Sequence, residues 1–146
     1  MKKKTLGLVI AFISVFALTS CGGPEGFDKK YADIANEKWC DITSDGYCMT
    51  IDDNPDDYDM SIVYKGVDNL SPNDMDELER FSDELNAIDE KIGEINKELG
   101  FSEALLTKMT QANIGDGKQS ESNDKYSVTW SFNLRRGLEV LYEIKK

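Results

Sequence analysis

The residues best equipped for chemistry in this chain are its aspartates. Seven of them, Asp41, Asp45, Asp52, Asp53, Asp56, Asp57 and Asp59, fall in one stretch that holds no basic residue. Asp52, Asn54 and Asp56 match the first three ligand positions of an EF-hand calcium loop. The match stops there. The sixth position is Asp57, where the sharp turn needs glycine, and the twelfth is Val63, where a bidentate glutamate belongs. A helix start accounts for the same residues: Asn54 as N-cap, Pro55 at the first helical position, and Asp56 and Asp57 beside the positive end of the helix dipole. Met60, Val63, Tyr64 and Val67 would then form the apolar side of a short helix.

The remaining reactive types are few. Histidine is absent, which removes the commonest general base, the usual imidazole metal ligand and the switch near neutral pH. No serine therefore has a histidine partner, which leaves lysine as the alternative base. Cys40 and Cys48 are separated by seven residues, where redox motifs have two. With no further soft ligands they make no zinc site. In an exported domain they are expected to form a disulfide, whose short loop would contribute roughly 2–3 kcal/mol. Gly115-Asp116-Gly117 lacks the glycine pattern and the lysine of a phosphate loop and reads as a tight turn. The sequence thus offers no catalytic residues, no metal ligands and no cofactor motif.

The elements that must position these residues are clear in outline. Leu78, Phe81, Leu85, Ile88, Ile92, Ile95 and Leu99 recur at alternating steps of three and four, one apolar stripe along an α-helix. Ser71 as N-cap, Pro72 at the first helical position and Asp74, Asp76 and Glu77 near the positive end mark its start; Gly100 marks its stop. About 28 residues make a rod of roughly 42 Å. At the C-terminus Tyr126, Val128, Trp130 and Phe132 alternate with polar residues, as do Leu138, Val140, Tyr142 and Ile144 with mostly polar neighbours. Pairing Phe132 with Leu138 across an Asn133–Gly137 turn puts all eight on one face of an antiparallel hairpin. The helix stripe is the expected cover for that face. Its second reading is a coiled coil between chains, but the flanking positions show no consistent charge pairing.

Shorter elements are expected at Phe27–Trp39 (helix), at 47–51 after the Asp45-Gly46 turn (strand), and from Ser102 as N-cap to Ala112 (helix, with Phe101 stapled on Leu106). The polar run 113–124 reads as a loop. The fold class is α+β in two layers: one long helix and shorter helices on a small antiparallel sheet that includes the C-terminal hairpin.

Lys2, Lys3 and Lys4 precede an apolar run, Leu6 to Leu18, shorter than the roughly 20 residues a membrane span needs. This is the pattern of a secretory signal peptide. Its end, Leu18-Thr19-Ser20-Cys21, resembles the lipobox of bacterial lipoproteins. That resemblance implies cleavage before Cys21, a diacylglycerol thioether on Cys21 and frequent acylation of the new N-terminus. The body of the chain shares only a general resemblance with small uncharacterised lipoproteins of Gram-positive bacteria. The expected organisation is a signal peptide at 1–20, a flexible tether at 21–26 and one domain at 27–146.

Loss of Lys2, Lys3 and Lys4 with the signal takes the formal charge from −11 to −14. Such acidity argues against nucleic acid, and against a chain lying flat on anionic lipid. The expectation is a lipid-anchored module on the outer face of a cell membrane, its partners being the membrane through Cys21 and an unidentified protein. A small-ligand or ion-binding lipoprotein is the alternative, and a hydrolase comes third.

Overall fold

The computed structural model describes residues 23–58 and 70–146. The signal peptide, Cys21, and the helix expected through Met60, Val63, Tyr64 and Val67 lie outside the described residues. The elements run α1 (Phe27–Lys30), β1 (Cys40–Ile42), β2 (Cys48–Asp52), α2 (Pro72–Glu98), α3 (Ala104–Thr110), β3 (Gln119–Ser122), β4 (Tyr126–Asn133) and β5 (Gly137–Ile144). The strands form one antiparallel sheet in the order β1-β2-β5-β4-β3. The architecture is α+β, with α2 and the shorter helices packed on the sheet.

The long helix begins and ends as its sequence dictates. Ser71 Oγ accepts from the Asp74 amide while the Ser71 amide donates back to Asp74 Oδ2, a capping box that satisfies donors the first turn leaves open. At the other end Gly100 takes φ +80°. There the Phe101 and Gly100 amides donate to the carbonyls of Asn96 and Lys97, a Schellman closure. Between the caps Phe81, Ile88, Ile92 and Ile95 are buried, and Leu99 just beyond the helix joins them. Leu78 and Leu85 stay half-buried, while the second half of the stripe packs into the chain's own core, as the intrachain reading expects.

The hairpin pairs in the expected register, Phe132 opposite Leu138 and Trp130 opposite Val140. Val128, Trp130, Leu138, Val140 and Tyr142 are buried on the face beneath α2. The other face, with Ser127, Thr129, Ser131, Glu139 and Glu143, is half-exposed. Gly137 closes the turn at φ +73°, and any Cβ there would strike Asp53 Oδ1. Strand β2 joins the far side of β5, Ile51 opposite Val140.

Several expectations need correction. The helix over Phe27–Trp39 is only four residues long; beyond it the amides of Ile34, Glu37 and Cys40 donate three residues back, in successive tight turns. A three-residue repeat still turns Tyr31 and Ile34 inward, which is why the apolar spacing looked helical. Helix α3 starts at Ala104 without a side-chain cap from Ser102. The run 113–124 holds a 3₁₀ turn at Ile114–Asp116 and the edge strand β3. Asn54 caps no helix through its first turn; its carboxamide instead holds the Tyr58 amide and donates to the Tyr58 and Arg135 carbonyls.

Cys40 and Cys48 are free thiols rather than a disulfide. Cys40 pairs with Ile51 in the ladder, so Cys48 stands three residue positions away along it and points to the opposite face. That is roughly 10 Å of strand, beyond what a disulfide can bridge.

The sheet has two ends. The Thr43–Tyr47 turn, Tyr126, Ile144 and α1 gather at the amino-terminal end, where the Phe27 amide donates to the Gly46 carbonyl at 2.8 Å. The Asn133–Gly137 turn, Asp53 and Asn54 lie at the opposite, hairpin-turn end.

Substituting Ile88→Ala should cost about 2–5 kcal/mol in chemical denaturation, the range for buried large-to-small changes. Thr129→Ala on the half-exposed face should stay within about ±0.5 kcal/mol.

Candidate functional site

Where the acidic run meets the hairpin, several buried polar contacts gather. The Asp53 amide donates to the Leu138 carbonyl at 3.1 Å, and the Leu138 amide donates to Asp53 Oδ1 at 2.7 Å. Asp53 is only 4% exposed and Asn54 not at all. Together they lock the end of β2 to the start of β5. Gly137 permits this, because it leaves the space that Asp53 occupies.

Beside this clamp α2 carries Asp89, one turn before the buried Ile92. The two aspartates line a groove of about 320 Å³ with Leu85, Met109, Phe132 and Leu138, rimmed by Thr110, Gln111 and Asn113. Burial pushes the Asp53 carboxyl up to about 8; the Leu138 amide pulls the other way, and the negative charges of Asp89 and Asp52 add to the rise. Burial also raises Asp89. Asp89 Oδ1 is buried and has no hydrogen-bond partner among the described residues. A buried acceptor left open in this way costs free energy, which a bound donor would recover.

The pair can do three things in principle. It can exchange protons, hold a cation, or accept hydrogen bonds from an ammonium or guanidinium group. Proton exchange alone is not catalysis, and no paired nucleophile stands in the groove. Among the described residues no three acidic or cysteine side chains are grouped to hold a metal ion. Recognition of an organic cation is what the geometry serves best.

The other sequence candidates are spent on structure. Asp52 Oδ1 accepts from the Asn54 amide, Asn54 Oδ1 from Tyr58, and Asp56 Oδ2 from Lys38 at 2.5 Å. One oxygen of each side chain in the EF-hand-like set is thus already engaged by a protein donor. Lys38 also meets Glu84 at 2.7 Å, linking the acidic run to α2. Asp45 accepts from Thr43 and Tyr47 within its own turn. Asp116 accepts from the Asn113 amide, so Gly115-Asp116-Gly117 is the turn expected. Burial, with nearby negative charge, raises the thiols of Cys40, to about 11, and Cys48 above their ordinary values. Neither is poised as a thiolate.

Asp53 and Asp89 were not singled out by sequence. Asp53 was one of seven acids and Asp89 one polar residue flanking a stripe. The available signal was the parity of β2, which turns inward at Met49, Ile51 and then Asp53. The chain matches no family model, no curated protein and no solved structure.

The raised Asp53 carboxyl has a defined linkage. Its folded value, about 8, lies above the ordinary 3.8, so between them the folded state holds a proton that the unfolded state releases. Its contribution is fully present below the lower value and is lost as pH rises toward the upper one. Asp53→Asn should flatten the fall in stability across that window, by up to a few kcal/mol in pH-dependent denaturation. An unchanged slope would remove Asp53 as its source.

Proposed function

We propose that this protein is a lipid-anchored module on the outer face of a cell membrane, with a non-catalytic role in protein interaction. The observation that carries the anchor is Leu18-Thr19-Ser20-Cys21, placed directly after a basic start and a short apolar run. Two acyl chains on the mature N-terminus would hold it stably on a bilayer. Only the short segment 22–26 separates Cys21 from Phe27, which is buried in the domain. No helix among the described residues is long and apolar enough to cross a membrane.

In this reading the amino-terminal end of the sheet is held near the lipid and the hairpin-turn end faces outward. The Asp53–Asp89 groove lies at that outward end. It would receive a lysine or arginine side chain from a basic protein partner. The unsatisfied Asp89 oxygen favours a second reading on the same groove, capture of a small organic cation.

Acyl labelling in the native cell should mark the wild type and not Cys21→Ala, which should be shed or remain unprocessed. Crosslinking on native membranes should then give a partner adduct that Asp89→Asn loses. An unlipidated wild-type N-terminus overturns the anchor. Adducts equal in wild type and Asp89→Asn overturn the groove as the contact.

A further inference from the structure

The lysines of this acidic chain are not evenly spread. Lys38, Lys91, Lys108 and Arg136 each stand in an ion pair with a glutamate or aspartate. Arg80, Lys97, Lys118 and Arg135 form none among the described residues, nor do Lys29, Lys30, Lys125, Lys145 and Lys146, and these last five sit together at the amino-terminal end of the sheet. The backbone brings them there. The Lys145 amide donates to the Lys125 carbonyl, the Ile144 amide to Tyr47, and the Phe27 amide to Gly46. Lys145 Nζ donates to the Asn123 carbonyl, and Lys146 Nζ lies 4.7 Å from the centre of the Tyr47 ring.

We propose that this end of the domain lies against an anionic phospholipid surface, its unpaired lysines meeting headgroup phosphates beside the exposed Tyr47 ring. The proposal rests on the anchored reading above, which sets the distance. Six steps of chain from Cys21 to Phe27 span at most about 20 Å when extended. The lysines are thereby kept near a surface whose field decays over roughly 8–10 Å.

The acids at this end, Glu25, Asp28, Asp45, Glu98, Asp124 and Glu143, leave it, with Lys97 counted beside the five lysines, close to charge balance, in a mature chain of formal charge −14. Two of them fold back onto the backbone. Asp28 packs against Gly26 and Gly46, and Asp45 is held by Thr43 and Tyr47. The acidic excess therefore lies toward the other end, which a negative bilayer repels. Attraction of one end and repulsion of the other fix an orientation that a flexible tether alone would leave free. Tyr47, 41% exposed, adds an amphipathic ring of the kind that settles at headgroup level.

The test is amine acylation of the processed full-length protein in vesicles of phosphatidylcholine, alone or with phosphatidylglycerol, each lysine quantified by mass spectrometry. On phosphatidylglycerol vesicles at low salt, Lys29, Lys30, Lys125, Lys145 and Lys146 should show a several-fold loss of reactivity. Lys91, Lys108 and Lys118 should not, and high salt should abolish the difference. Lys145→Glu with Lys146→Glu should abolish the protection of Lys29 and Lys125. The intact mass of the same preparation reads the anchor separately. Uniform reactivity on a lipidated protein overturns the orientation and leaves the anchor standing. Selective protection without lipid on Cys21 supports the surface and removes the anchor.

Discussion

The structure depends on the burial of one helical stripe. Ile88, Ile92 and Ile95 on α2 are covered by the sheet face that carries Val128, Val140 and Tyr142, and neither layer could stand in water alone. Each such side chain contributes roughly 1.5–3 kcal/mol when removed from water, so together they outweigh any single polar contact in the molecule. Burial alone does not set the helix at one position along the sheet. The polar bond from Tyr142 Oη to Asn96 Oδ1, 2.9 Å long and buried, does that more sharply, because a slip of either residue would leave both groups unpaired. Asn96 also reaches Met109 Sδ at 3.5 Å, so the same side chain ties α3 to the pair of layers.

This packing determines where the polar chemistry can lie. With α2 running from Phe81 at the hairpin-turn end to Leu99 at the amino-terminal end, Asp89 arrives next to Asp53 and neither carboxyl is fully solvated. The Asn123 side chain, donating to the Leu99 carbonyl at 2.9 Å, fixes the other end of the helix against the β3–β4 turn. The two surfaces with open chemistry are therefore at opposite ends of one sheet. A strand of eight residues spans roughly 26 Å, so a molecule tethered at one end presents the groove well clear of the tether.

What could be read from sequence was whatever repeats with the period of its own element. The stripe of α2, the alternation of β4 and β5, the Ser71 N-cap and the glycines at 100 and 137 are all local signals, and the structure uses each as expected. Strands β1 and β3 carried no such signal. Gln119-Ser120-Glu121-Ser122 is polar on both faces, and its strand exists because β4 offers an unpaired edge. The Cys40–Cys48 pairing failed for a related reason: sequence distance does not reveal which face of a ladder a residue takes, and register decides it. The groove was hidden most deeply. Asp53 and Asp89 come from different elements, and only tertiary packing makes them neighbours with a shared, partly dry surrounding.

The central claim is that α2 and the hairpin form one cooperative unit within a single chain. Native-state hydrogen exchange, followed residue by residue at several protein concentrations, tests it most directly. The account predicts that amides of Ile88–Leu99 and of β4 and β5 share the slowest exchange, open with one common free energy, and do so independently of concentration. Exchange of the α2 amides well ahead of the hairpin, or protection of α2 that grows with protein concentration, would contradict it.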